Sequence, residues 1–256
     1  MKKDLIKSGT VILDLCILII GWHILTYYNI IPWYILPAPS AIVRELTSNI
    51  NNYWEQILFT AMPVIYGYIL GIIFGLLCAI AMVYSDFARR LLYPLIVISQ
   101  TIPHIAIAPL LLFWFGYGIF PRILIVIQFT FFPIALDMVQ GLTNLDSELL
   151  DFMVILKASK FQVFKNIRLP NSLPFFFTAL KTTAPYAVMG ALISEWIGSP
   201  KGLGMLLLQA NRTLMVEVVF SCVIIIMLGS FILFLMAFLA EYIIIPWHHK
   251  KLSKYQ

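Results

Sequence analysis

Asp151-Phe152-Met153-Val154-Ile155-Leu156-Lys157-Ala158-Ser159-Lys160, continuing to Ile167-Arg168-Leu169-Pro170, is an amphipathic, lysine-rich stretch in a chain that is otherwise nearly bare of charge. On either side of it Ile57–Ser85, Leu91–Pro121 and Val218–Ala240 contain no formally charged residue. Ser8–Tyr27, Ile123–Val139 and Ser172–Trp196 are less uniform but also long and apolar. A helix needs about 20 mostly apolar residues to cross the hydrocarbon core of a bilayer, so these runs predict six spans. Composition agrees. Of 256 residues 61% are hydrophobic and 11% charged, with a mean hydropathy of +0.94, against roughly 25% charged for a typical soluble domain. The chain therefore reads as one all-α membrane domain over 1–256, its core at about 50–245, with no room for a separate soluble module. A polar loop over about 142–172, set between such spans, is then a docking surface for something soluble. A basic amphipathic helix resting on lipid headgroups is the alternative that spacing leaves open.

The cations orient the spans. With an internal amino terminus, Lys2, Lys3, Lys7, Arg89, Arg90, Lys157, Lys160, Lys165, Arg168, Lys250, Lys251 and Lys254 fall on the cytoplasmic side. Arg44, Arg122, Lys201 and Arg212 fall outside, and Lys181 lies within a span. Twelve against four is a positive-inside bias that puts both termini and the polar loop in the cytoplasm. The net charge of +5 has the same origin and is no sign of a nucleic-acid partner. The first apolar run contains Asp14, is long, and lacks a small-x-small site before Tyr27-Tyr28-Asn29, so it reads as a retained helix rather than a signal peptide. Cys16, Cys78 and Cys222 lie within apolar runs with no CxxC or Cys/His ligand spacing, which predicts neither a disulfide nor a metal site.

Within the spans, Gly67, Gly71 and Gly75 recur every four residues. Helices in lipid gain nothing from mutual hydrophobicity, so a stripe of small residues supplies close packing, and this one reads as an internal face. Pro94, Pro103 and Pro109 interrupt the third span. Each removes a backbone donor, and broken helices persist in membranes where they line a cavity. That places Gln100, Pro103 and His104 beside a translocation path. Ionisable groups inside spans are functional candidates because burying them is costly. Asp137 and Lys181 are placed to pair near the inner ends of their spans. Glu195 is fourteen residues past Lys181, about 21 Å along a helix, which predicts a position at the outer end of the path.

These pieces together resemble one family. An acidic residue at Asp151, a customary glycine position at Lys157 followed by Ala158, and Ile167-Arg168-Leu169-Pro170 beyond it resemble the cytoplasmic coupling loop of binding-protein-dependent ABC importer permeases. Leu36-Pro37-Ala38-Pro39-Ser40, the run from Gln100 through Pro109 to Trp114-Phe115-Gly116, Phe131-Phe132-Pro133, and Glu195-Trp196-Ile197-Gly198 with Lys201-Gly202-Leu203-Gly204 are similar in order and spacing to the nitrate, sulfonate, taurine and thiamine-precursor members. The likeness covers roughly residues 30 to 215. It implies a type I importer (MetI-like) permease fold of six transmembrane helices in a bacterial inner membrane. It implies that Asp151, Phe152, Met153, Lys157, Ala158, Ile167, Leu169 and Pro170 couple to a separate ATPase, and that Glu195 lies near the outer gate. Partners are then ABC ATPase subunits, an external substrate-binding protein and a second permease copy, a homodimer unless a different permease chain completes the pair. This sequence departs from the pattern at Phe152-Met153, where two alanines are usual, and at Lys157.

No G-x-x-x-x-G-K-[ST] phosphate loop occurs, so the chain reads as no enzyme and as binding no cofactor; ATP and Mg would belong to the partner ATPase. An ion-coupled secondary transporter would show internal repeats and a midplane ion site, and an intramembrane enzyme a clustered catalytic constellation. Neither pattern is found in this sequence. The aromatics Phe113, Trp114, Phe115, Tyr117, Phe131 and Phe132, with few cations among them, lean toward a neutral aromatic solute over an oxyanion.

Overall fold

The computed structural model describes residues 2–247; the cations Lys250, Lys251 and Lys254 and the pair His248–His249 lie outside the described residues. The described chain is helical. Helix α1 (Lys2–Tyr27) is followed by a strap and the short α2 (Pro39–Ser48), then by α3 (Ile50–Tyr84). Helices α4 (Asp86–Ser99) and α5 (His104–Phe115) meet at a bend of 103°. Then come α6 (Ile119–Thr143), the short α7 (Ser147–Ile155) and α8 (Lys160–Val163), α9 (Leu169–Gly198), α10 (Leu203–Arg212) and α11 (Val216–Ile244). Among the described residues Ile50–Tyr84, Ile119–Thr143, Lys160–Gly198 and Val216–Ile244 are each long and apolar enough to cross a membrane. The bent α4–α5 pair makes a fifth, broken span, and the described apolar part of α1 runs Cys16–Tyr27. At 35 residues α3 is about 52 Å long, well beyond a hydrocarbon core of roughly 30 Å, so it tilts or projects past the bilayer.

Three helices form the centre, and small residues set their spacing. Gly67, Gly71 and Gly75 of α3 face Val126, Thr130 and Ile134 of α6, matching four-residue repeats. A Cβ on Gly67 would sit 2.5 Å from the Val126 Cβ, one on Gly75 would sit 2.8 Å from the Ile134 Cγ2, and one on Gly71 would run into the Thr130 Oγ1. On the next side of α6, Gly190 of α9 lies against Phe129, and Gly141 receives the Phe175 ring of α9. The Tyr68 hydroxyl of α3 donates to the Leu180 carbonyl of α9 at 2.6 Å. Around this core α5 packs on α6 and α9, and α11 leans on α9, α10 and α2. Helix α1 stands apart. It is tethered by the Trp22 Nε1, which donates to the Pro37 carbonyl at 3.1 Å, and by a Trp22–Phe220 ring contact.

The expectation that three prolines interrupt the third span is corrected. In the third span Pro94 and Pro109 sit inside continuous helices, and only the Gln100–Pro103 segment breaks. The reason is local. The Ile96 and Ile98 carbonyls at the end of α4 accept from the Gln100 and Thr101 amides at 3.3 and 3.0 Å, and the hydroxyls of Ser99 and Thr101 donate to the same two carbonyls, both at 2.7 Å, so the end of α4 closes on itself and the chain turns away there. Pro103 is the N-cap of α5, with φ −58° and ψ 114°, where its missing N–H costs no helical hydrogen bond. In the fifth span Pro170 and Pro174 do not set a break. Helix runs on from Lys160 to Gly198, widening into a π-helical turn at Phe164–Arg168 where Leu169 donates back to the Phe164 carbonyl. A wider turn just ahead of Pro170 gives its ring the space that an α-turn would deny it.

The α3–α6 register yields a stability prediction. Gly71→Ala should lower the thermal midpoint of the purified protein, at a cost of about 1–3 kcal/mol for overpacking. Adding Thr130→Ala removes the colliding hydroxyl and should restore most of the loss. A double variant no more stable than Gly71→Ala would refute the register.

Candidate coupling loop and translocation path

The polar loop is built as two capped helices on a fixed base. Asp146 caps α7, its Oδ1 accepting from the Glu148 amide at 3.0 Å. With Glu148 it places negative charge at the positive end of that helix dipole. The other end closes as a Schellman motif, the Lys157 amide donating to the Val154 carbonyl at 2.9 Å and the Ala158 amide to the Met153 carbonyl at 3.0 Å. That motif needs a left-handed residue at Lys157, where φ is 50°. The turn is thus the one a glycine would make, with lysine bearing a strain of about 1–2 kcal/mol. Ser159 and Gln162 then form a capping box, Gln162 N donating to the Ser159 Oγ at 3.2 Å and Ser159 N to the Gln162 Oε1 at 2.7 Å.

The base is tied to the end of α6. The Arg168 Nη1 donates to the Leu142 carbonyl at 3.0 Å, and the Asn171 Nδ2 to the Gly141 and Asn144 carbonyls at 3.1 and 2.9 Å. The Phe164 ring turns inward against Tyr84, centroids 5.2 Å apart. What remains outside is apolar. Phe152, Val154, Ile155, Leu156 and Phe161 are all exposed, Ile155 to 76%. Asp151, Lys157 and Leu169 are exposed beside them, while Met153, Ala158, Ile167 and Pro170 are half-buried beneath. The apolar residues of the loop therefore divide between an outward knob and an inward root, a division the linear pattern of Val154, Ile155, Phe161, Val163, Phe164 and Ile167 does not reveal.

The residues assigned to a path do not all come together. Gln100 and Pro103 are exposed at the α4–α5 bend, and His104 packs there against α6, its ring 4.7 Å from Phe129 and 6.1 Å from Phe132, parallel to the latter within 2°. Glu195 lies elsewhere and is 0% exposed. Its Oε1 accepts from the Thr60 hydroxyl and its Oε2 from the Gly204 amide, both at 2.8 Å. The Thr60 Oγ1 accepts in turn from the Leu203 amide at 2.9 Å, and the Gln56 Oε1 from the Gly202 amide at 2.6 Å. Gly202 has φ 115°, and a Cβ there would strike the Glu195 carboxylate. Glu195 thus ties the C-terminal end of α9 to the N-terminal parts of α3 and α10. The link was invisible in sequence because its partners come from Thr60 and from a backbone turn at Gly202–Gly204.

The anticipated Asp137–Lys181 pair is also corrected. Lys181 Nζ lies 2.6 Å from the Glu241 Oε2 of α11, whose carboxylate is nearly buried. An ion pair shielded from water and hydrogen-bonded holds two helices together because losing either partner strands the other charge. Glu241 is sixty positions away in the chain, beyond the reach of any spacing argument.

Two measurements follow from these geometries. Lys157→Val, a β-branched residue forced to positive φ, should weaken retention of the ATPase on co-purification, whereas Lys157→Gly should retain it fully; equal retention in both variants would show that the turn plays no part in docking. Glu195→Ala leaves the Thr60 hydroxyl and Gly204 amide unpaired, at about 1–3 kcal/mol each, and should lower the thermal midpoint much more than Glu195→Gln does. Equal melting of the two variants would remove Glu195 from the structural role assigned to it.

Comparison with known proteins agrees with this architecture. Residues 71–242 match the family described as binding-protein-dependent transport system inner membrane component. A probable ABC transporter permease protein of Haemophilus influenzae is 33% identical over 234 residues, covering 91% of this chain and 94% of its own. The formylaminopyrimidine transport permease protein of Halalkalibacterium halodurans is 34% identical over 227 residues, covering 85% and 88%. Among solved structures, the MetNI methionine ABC transporter in its inward-facing conformations shares the fold with a TM-score of 0.51 and 22% identity, over 73% of this chain and 94% of that one. A multi-pass helical chain, a knob between spans and a family match across most of its length lead to one conclusion: this protein belongs to the binding-protein-dependent inner-membrane permeases and is a permease subunit of an ABC importer.

Proposed function

We propose that this permease imports a small nitrogen-rich heteroaromatic solute of the thiamine-pathway pyrimidine class. The observation that carries the proposal is the 34% identity to a formylaminopyrimidine permease over most of both chains. The bend between α4 and α5 supports it, since the side chains gathered there are amide, hydroxyl, imidazole and phenyl groups rather than the cations an oxyanion such as a sulfonate, taurine or nitrate would call for.

In this reading six spans cross a bacterial inner membrane with both termini in the cytoplasm, counting α1, α3, the bent α4–α5 pair, α6, α9 and α11. Two copies enclose the path. An ATPase subunit, which carries ATP and Mg, seats the α7–α8 knob of each copy in a cleft, with Phe152, Ile155 and Phe161 as anchors and Asp151 and Lys157 at its rim. An external binding protein delivers the solute. Closure of the ATPase pair moves the two knobs and opens the path outward, and hydrolysis returns it to the cytoplasmic side. Because the knob's base is bonded to α6 and continuous with α9, a push on it moves both helices.

The test is reconstitution of this chain in nanodiscs with the ATPase and binding protein encoded beside it. ATP hydrolysis should rise several-fold with binding protein loaded with formylaminopyrimidine and stay at its resting level with taurine or nitrate. Stimulation by taurine alone would replace the substrate class, and failure to retain any ATPase would overturn the coupling role of the knob.

A further inference from the structure

We propose that Gln128 and His104, backed by Phe132, form a subsite of the path that hydrogen-bonds the edge of a planar nitrogen heterocycle while the aromatic wall stacks on its face. The proposal rests on the heteroaromatic reading given above and adds the residues that would recognise the ring. The Gln128 Oε1 and the His104 Nδ1 are both buried without a hydrogen-bond partner among the described residues. In a protein interior such an atom costs the full desolvation of the group, and within a membrane no bulk water relieves it. His104 stands at the helix break against Phe129 and Phe132, and Gln128 is one turn before Phe132 on the same helix, so a single partner from outside the chain answers both.

Their placement is specific. On α6, Val126, Thr130 and Ile134 are turned to α3, and Phe129 to α9. At 100° per residue Gln128 points away from the α3-facing row, and Phe132, one turn on, shares its side of the helix. His104 is carried to that side by the α4–α5 break, its ring parallel to Phe132 and tilted on Phe129. Gln100 is exposed at the same bend.

The chemistry selects a class of solute. A carboxamide offers a donor and an acceptor side by side, and a neutral imidazole offers one of each on opposite sides of its ring. An aminopyrimidine presents the complementary alternation along one edge and a π-face to the aromatic wall. An oxyanion would find no cation among these side chains. Pairing of Gln128 with its own copy across a two-fold axis would satisfy the amide but leave the imidazole unpaired.

The experiment uses the full complex of permease, ATPase and binding protein in proteoliposomes, with uptake of formylaminopyrimidine measured against a benzene analogue lacking the ring nitrogens. Gln128→Leu and His104→Phe, the latter keeping an aromatic ring, should each lower pyrimidine uptake about tenfold, the effect of one buried hydrogen bond lost. Both should narrow the preference over the analogue, and Gln128→Asn should recover part of it. Cross-linking and size measurement accompany each variant. Undiminished uptake and preference in both variants, with normal uptake by the unmodified complex, overturns the subsite alone. Loss of the permease dimer in Gln128→Leu with preference intact also overturns it, by marking Gln128 as a contact between copies. No pyrimidine uptake by the unmodified complex overturns the substrate reading and the subsite with it.

Discussion

The close approach of α3 to α6 is the contact on which the rest of the fold depends. Lipid tails solvate leucine as well as another helix does, so association must come from intimate packing and satisfied polar groups. Three glycines on α3 bring its backbone against Val126, Thr130 and Ile134. The Thr130 hydroxyl stays satisfied within its own helix, donating to the Val126 carbonyl at 3.0 Å. With α6 held there, its neighbouring face receives α9 through Gly190 and Gly141. Its far side is left to the α4–α5 bend. The side chains that α6 presents to the bend are positioned by what its opposite side requires.

Polar groups then do at the helix ends what glycine does along their middles. At the C-terminal end of α9, Glu195, Thr60, Gln56 and the Gly202–Gly204 turn join α3, α9 and α10. Lys181 and Glu241 join α9 to α11. At the knob Arg168 and Asn171 satisfy carbonyls at the end of α6 that no further helical turn would reach. In a low-dielectric setting each of these is worth more made than left unmade.

Much of this was legible in the residues, and the failures share a physical cause. Long uncharged runs marked the apolar helices, and a glycine period of four marked a close-packed face, because both are local properties of one helix. Lys157 stood out as a departure, and its positive φ shows that the turn overrode the preference of the residue. Glu195 and Lys181 were recognisable as buried charges, yet their partners Thr60, Gly204 and Glu241 are settled by tertiary packing and have no signature at any fixed spacing. Pro94 and Pro109 misled for the opposite reason. A proline announces a missing donor, but whether the helix breaks, bends or widens is decided by the hydroxyls and turns nearby.

The bonding of α9 at both extremities has a mechanical corollary. Hydrogen-bonded to α3 and α10 at its C-terminal end and to α6 at its N-terminal end, α9 slides or pivots against these neighbours only by breaking those bonds. Motion that spares these bonds carries α3, α6, α9 and α10 together as one body.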